Sequence, residues 1–420
     1  MKSKIFTYDV GTNFDYRLFD IIKEYDKDHM IKTLYGKIRN DGLPGGRASS
    51  IIPDFTMEQL EDYVKVCREN GLSFNYLINP LCMDQNENDP VMGKKIRNFI
   101  HETYDIGIRE FTLNSPELIK YVKKSFNDVR ITLGLYAYPS NIQHIQYWAD
   151  WGVDEITLDH SFNRNFALLR HVLEVYKESS ISMRLIANNF CFKDCPFKLA
   201  HGCVASHSGN NGILMDYYLI NCAFRKVTNP RSMLTSEWIR PEDVHIYEEL
   251  VESTGFKHFS LKLVDRTRST GFIERVIKAY LSQSYNGNLL DIINWPETKN
   301  MSIGKKTAIS PAAGRPRVKN EDMIKPEVLI QYGDVMRFPE IFIDNTKLNG
   351  FVEHFYKNNH CSDCLCSDNI LPHGQSSSAS CGYCSSWYDK AIHFDKDEID
   401  RWLSNASELL NSLEDCSIYK

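Results

Sequence analysis

The feature that most constrains this chain is a rhythm. Over its first two-thirds, short apolar runs alternate with segments of helical period. Strands are predicted at 32–37, 73–79, 109–113, 130–136, 154–158, 181–187 and 257–263. Most are separated by amphipathic helical pattern. The helix after the first of these strands shows the logic. Thr56 and Gln59 fit a capping box, Leu60, Val64 and Cys67 share a face, and Gly71 closes it. Repeated β–α units imply parallel strands joined by right-handed crossovers. With an eighth strand at 4–9 or near 234–239, the count favours a (β/α)8 TIM-type barrel over an open doubly wound sheet. No G-x-G-x-x-G or P-loop pattern follows a strand. In such a barrel the active site lies at the C-terminal ends of the strands.

The barrel is expected over residues 1–285, with a Cys-containing insertion at 188–235 that follows a strand end. Residues 286–345, with Pro296, Pro311, Pro316, Pro326 and Pro339, read as a linker. Within it Lys299, Lys305, Lys306, Arg315, Arg317, Lys319 and Lys325 form a basic run. That run reads as solvated, with a phosphate- or RNA-contacting loop as the alternative. Residues 346–420 form a small Cys-rich C-terminal unit. Its terminal helix carries Ile399, Trp402, Leu403, Ala406, Leu410 and Leu413 on one stripe, a face that should dock on something. A net charge of −6 gives no global pull toward nucleic acid or an anionic membrane. No apolar run reaches the ~18 residues of a membrane span, and Met1–Arg17 does not read as a secretory signal, so the expectation is a cytoplasmic protein without membrane contact.

Nine of the 12 cysteines fall in two short windows, which points to metal or redox chemistry rather than to scattered buried thiols. The first window holds Cys191, Cys195, Cys203 and Cys222 in a C-x3-C-x7-C-x18-C pattern, with Pro196 directly after a cysteine. It lacks the paired C-x2-C knuckles usual for zinc. Irregular spacing with a following proline suits a [4Fe–4S] cluster, with zinc or reduced thiols as alternatives. Cys203 is the weakest of the four, and His201 or His207 can stand in for it. The pattern is not the C-x3-C-x2-C of radical-SAM enzymes. The second window holds Cys361, Cys364, Cys366, Cys381 and Cys384, two close groups flanking a polar loop. A second Fe–S cluster and a closed zinc site both fit it, and either would staple a small tail poor in large apolar residues.

The stretch L-I-A-N-N-F-C-F-K-D-C-P-F-K-L-A-H, then Cys222, W-I-R-P-E-D-V-H-I-Y-E-E-L, F-S-L-K-L-V-D-R and R-V-I-K-A-Y resembles the collagenase-like "U-thirty-two" peptidase family. Upstream, L-N-S-P-E-L-I-K and Q-Y-W-A-D-W-G-V-D-E-I-T-L-D fit in order and spacing, so the resemblance spans residues 30–285. It implies a barrel with a Cys-ligated [4Fe–4S] cluster near its mouth. Cys191, Cys195 and Cys222 match the cysteines of the iron–sulfur subgroup. Relatives in that subgroup are implied to perform oxygen-independent hydroxylation of ubiquinone precursors or RNA bases, with prephenate as a proposed oxygen source. The H-G-A-x-C stretch of the peptidase-named branch is missing here, since the strand runs straight into Asn188.

The leading expectation is an iron–sulfur oxidoreductase acting on a small molecule or an RNA base. Candidate catalytic residues at strand ends are Lys37, Arg47, Asn188, Lys262 and Arg266, with Asn79 nearby. The cations suit a carboxylate-bearing substrate. Arg240, before Pro241, reads as a helix cap. Two alternatives stand beside this reading. One is a peptidase with a structural metal. The other is a noncatalytic cluster-bearing subunit that pairs with a homologous partner or an electron donor.

Overall fold

Alternating side chains along short strands let one face fill a barrel while the other packs under helices. The strands are β1 (Phe6–Gly11), β2 (Ile31–Gly36), β3 (Ser73–Ile78), β4 (Glu110–Leu113), β5 (Arg130–Leu133), β6 (Glu155–Thr157), β7 (Ser182–Ile186) and β8 (Phe259–Leu263). They pair in chain order and in parallel, and β1 pairs with both β2 and β8, so the sheet closes. This is a TIM-type (β/α)8 barrel. The eighth strand is therefore the early one. Residues 234–239 form no strand: they leave a short helix and turn, with the Trp238 indole donating to the Met233 carbonyl at 3.0 Å. The computed structural model describes residues 6–47, 51–211, 215–295, 323–358 and 382–420.

Helices α1 (Arg17–Tyr25), α2 (Met57–Glu69), α3 (Met92–Asp105), α4 (Pro116–Ser125), α5 (Ile142–Trp151) and α6 (Phe166–Tyr176) connect consecutive strands up to β7. The expected capping box on α2 is present in both directions, and Leu60, Tyr63, Val64 and Cys67 form its buried face. Between β7 and β8 come α7 (Lys198–Asn211), α8 (Tyr217–Thr228), α9 (Ser232–Thr235) and α10 (Val244–Thr254), and α11 (Thr270–Ser282) follows β8.

The barrel interior is polar at mid-height. Thr112 donates to Asn75 at 2.6 Å, Asn75 to Thr132 at 3.2 Å, and Thr132 to Glu155 at 2.9 Å. Arg184 bridges Glu155 and Asp9 at 3.2 and 3.1 Å, and Ser260 donates to Asp9 at 3.0 Å. Above this ring sits a small apolar layer of Tyr35, Leu77, Ile186 and Val264. It forms the floor of the mouth.

Of the stretch 286–345 read as a linker, the described parts, 286–295 and 323–345, depart from that reading. Leu289, Leu290, Ile292 and Ile293 are buried, and α12 (Pro326–Val335) and β9 (Ile341–Ile343) are ordered elements packed into the core. Apolar side chains shape this part, and Pro326 stands at the first position of α12, where a proline is compatible with the helix. Of the basic run, only Lys325 is among the described residues, and its ammonium donates to the Ser417 carbonyl. The C-terminal part adds α13 (Glu353–Lys357), α14 (Tyr383–Ala391), β10 (Ile392–Phe394) antiparallel to β9, and α15 (Lys396–Glu414). The stripe on α15 docks as expected. Ile399, Trp402, Ala406, Leu409 and Leu410 are buried, and the helix packs on α8 and α12. No helix among the described residues is long and apolar enough to cross a membrane.

Candidate active site at the barrel mouth

A cavity of about 750 Å³ opens at the C-terminal ends of the strands. One wall is built by the chain leaving β7. Phe190 and Cys191 lead into a turn where Asp194 takes a left-handed conformation (φ 51°), and Cys195 follows. Asp tolerates that conformation better than most residues, so the C-x3-C spacing closes on itself. Helix α8 then returns Cys222 to the same cavity. The three thiols lie within electrostatic reach of one another. Burial pushes the Cys222 thiol up to about 12, and Cys195 is raised for the same reason.

Lys226 lies one helical turn beyond Cys222. It is fully buried, its ammonium 4.1 Å from the ring centres of both Phe190 and Phe192 and 2.8 Å from the Ser236 hydroxyl. Burial pulls its pKa down, and the anionic groups that oppose this pull are Cys222, Cys191 and Cys195. A buried cation with thiols as its counter-ions favours their ionised form, the form in which sulfur binds metal.

Another part of the cavity lining is cationic. Arg47 pairs with Asp265 at 3.0 Å. Burial opposes ionisation of Asp265, yet Arg47, Arg268 and Arg266 outweigh it and hold the carboxyl at about 2. Lys262 lies 3.9 Å over the Tyr35 ring, with no ion-pair or hydrogen-bond partner among the described residues. Arg266 is buried, and its Nε and Nη2 have no hydrogen-bond partner. Burial pulls the pKa of both cations down, with Lys262 well below the usual lysine range. Two cavity imidazoles are already engaged. His160 Nε2 accepts from Asn189 at 2.6 Å, and His201 faces Asp216 at 3.6 Å. Glu237 lines the wall, and burial raises its carboxyl to about 8.

The sequence model of peptidase family U32 matches residues 45–282, more than half of the chain and the greater part of the barrel. The chain belongs to peptidase family U32. A relative described as an uncharacterized protease, MJ1657 of Methanocaldococcus jannaschii, is 28% identical over 253 residues, covering 60% of this chain and 72% of the relative. The solved structure of the U32 peptidase Mk0906 shares 18% identity at a TM-score of 0.44, covering 62% of this chain and 93% of that one. A xylose isomerase domain-containing protein from Salmonella typhimurium reaches a TM-score of 0.36 at 12% identity, covering 68% of this chain and 97% of that one.

In this U32 chain the sequence candidates separate. Cys191, Cys195, Cys222, Arg47, Lys262, Arg266 and Asn79 meet at the cavity. Cys203 does not line it, and its charge neighbour is Cys82. The phase of α7 explains this, since Cys203 shares a face with Ser206, which bonds the loop after β3. Lys37 is also outside the cavity. It pairs with Asp41, which the turn at Arg39–Asp41 folds back on it, and Tyr76 donates to the same carboxylate at 2.6 Å. Asn188 is a brace. Its amide accepts from Val264 N–H and donates to the carbonyls of Val264 and Ile292. Arg240 chelates Asp243 and also donates to the Asn345 carbonyl, so it ties the barrel to the C-terminal part as well as capping. In the second window Cys384 is buried, and Cys361, Cys364, Cys366 and Cys381 lie outside the described residues. The sequence reading missed Lys226 and Glu237. The i, i+4 spacing from Cys222 was a usable signal for the first, whereas Glu237 sits in an irregular segment that carries none.

Among the described residues no three Cys, His, Asp or Glu side chains are gathered tightly enough to hold a metal ion as they stand. The three cavity thiols with the buried Lys226 nevertheless fit a thiolate-ligated iron–sulfur group in donor type and in charge.

Proposed function

We propose that this U32 protein is an iron–sulfur enzyme that carries out an oxygen-independent redox modification, a hydroxylation, of a small anionic molecule or a nucleobase. The observation that carries the reading is the lining of one cavity: Cys191, Cys195 and Cys222 with the buried Lys226, together with Lys262 and with Arg266, whose Nε and Nη2 have no hydrogen-bond partner. A [4Fe–4S] cluster held by Cys191, Cys195 and Cys222 would supply electron transfer or substrate activation.

The chain's own residues do the rest. Arg266 offers two unpartnered nitrogens, Nε and Nη2, and Lys262 its amine, a set suited to a carboxylate or other oxyanion. Arg47, neutralised by Asp265, shapes the pocket more than it charges it. Glu237, held largely protonated near neutral pH, can donate a proton and take it back. Phe190 and Trp295 pack edge to face at 5.4 Å and narrow the access of water. Peptide cleavage by a thiol requires a base beside it. Among the described residues neither cavity imidazole is hydrogen-bonded to a cavity thiol: His160 Nε2 bonds Asn189, and His201 lies 3.6 Å from Asp216. The C-terminal cysteine set, Cys361 to Cys384, we assign to a second metal group, a relay cluster or a structural zinc.

Iron, sulfide and zinc content with a UV–visible spectrum, on full-length protein purified without oxygen, tests this. About four irons per chain support one cluster, and about eight support two. Cys195→Ala is expected to lose one cluster's iron while its far-UV circular dichroism stays unchanged. Zinc without iron in the native protein overturns the redox reading.

A further inference from the structure

Cys203 leaves the cavity group because α7 rotates it toward another cysteine. The loop after β3 runs Leu81–Cys82–Met83 into Asp84 and Gln85, both left-handed at φ 53° and 58°. Two successive non-glycine residues in that region make a fixed, strained turn. The turn aims the Asp84 N–H at Cys82 Sγ, 3.4 Å away. Helix α7 is stitched to this loop. Ser206 Oγ accepts from Leu81 N at 2.9 Å and from Cys82 N at 3.5 Å. Gly202 presses so closely on Leu81 that a Cβ there would lie 2.9 Å from Leu81 Cδ2. Cys203 is next to Gly202 and three residues before Ser206, on the helix face that meets the loop. Both thiols are free and half-buried, and each lies within electrostatic reach of the other.

We propose that Cys82 and Cys203 are a reversible thiol-oxidation site whose co-reactant is a low-molecular-weight disulfide of the glutathione type. Cys82, which receives the Asp84 N–H, attacks one sulfur of the small disulfide as the thiolate and expels one small thiol. Cys203 then attacks Cys82 Sγ and expels the second. The products are one protein disulfide and two small thiols. The two electrons come from the protein sulfurs, and the two thiol protons pass to the expelled thiolates. The bond fastens α7 to the β3–α3 loop. Because α7 carries Lys198 and His201 into the cavity wall, it fixes that lip of the mouth.

The site does not rest on the iron–sulfur reading, and its test keeps the two apart. Full-length protein is incubated with oxidised glutathione, blocked with N-ethylmaleimide, digested without reductant and mapped by mass spectrometry. The expected result is a linked peptide pair joining Cys82 to Cys203 that disappears with dithiothreitol. Cys203→Ser should leave Cys82 as a stable glutathione adduct, and Cys82→Ser should abolish the link. Iron content of Cys203→Ser should equal that of the native chain. Absence of the link, a link from Cys203 to Cys191, Cys195 or Cys222, or loss of iron from Cys203→Ser overturns the proposal.

Discussion

Glu237 and Lys226 are charged residue types placed where charge is costly, and each reports what the cavity is for. The Glu237 carboxyl sits among Arg164, Lys193, Asp194 and Asp159, and burial still dominates, raising it to about 8. An unfolded glutamate ionises near 4.3. Between those values the folded chain holds a proton that the unfolded chain has released, so stability falls as pH rises through that window. Glu237→Gln should flatten that slope, leaving the variant close to the native protein at pH 5 and more stable at pH 8. Thermal unfolding at both pH values checks this, and equal losses in the two proteins remove Glu237 from the account. Residue-level chemistry was partly legible in the sequence. Cys191 and Cys195 announce themselves by local spacing. Arg47 and Asp265 stand 218 positions apart, and no local pattern pairs them. Lys37 misleads because its strand-end position suggests a pocket, while its own i+4 neighbour Asp41 consumes the charge.

Helix α8 carries two of the groups on which the proposed centre depends, and its back is held by α15. The two helices pack along their length, and Tyr217 donates to Glu414 at 2.8 Å. Trp402 anchors α15, its ring tilted against Phe338 at 5.7 Å and its indole N–H donating to the Val335 carbonyl at 2.9 Å. Trp402→Ala should cost about 3–5 kcal/mol. It should also lower iron retention although Trp402 is absent from the cavity. Denaturant unfolding and iron content measured on the same sample test the linkage, and a destabilised variant with full iron would separate α15 from the centre. The β–α alternation was readable because buried parallel strands are written as apolar runs. The phase of α7 was not readable. A helix with small and polar residues all round, such as Lys198–Asn211, gives no apolar stripe from which to tell which way Cys203 points.

At the scale of the whole molecule, the barrel is a support that carries charge along its axis. Asp9 and Glu155 face Arg184 at mid-height, and Lys262 stands above them in reach of both carboxylates. Burial, Arg184 and Arg266 together pull the Lys262 pKa well below the usual lysine range. An anion entering the mouth adds negative charge beside Lys262 and favours the protonated form of its amine, so ligand capture and proton binding are coupled. Calorimetric titration with a small carboxylate, repeated in two buffers of different ionisation enthalpy, should show net proton uptake in the native protein and none in Lys262→Met. Arg184 at the centre of the barrel thus acts as a counterweight: by opposing charge on Lys262 it leaves that charge for the ligand to stabilise, and the affinity of the mouth rises as the solution becomes more acidic.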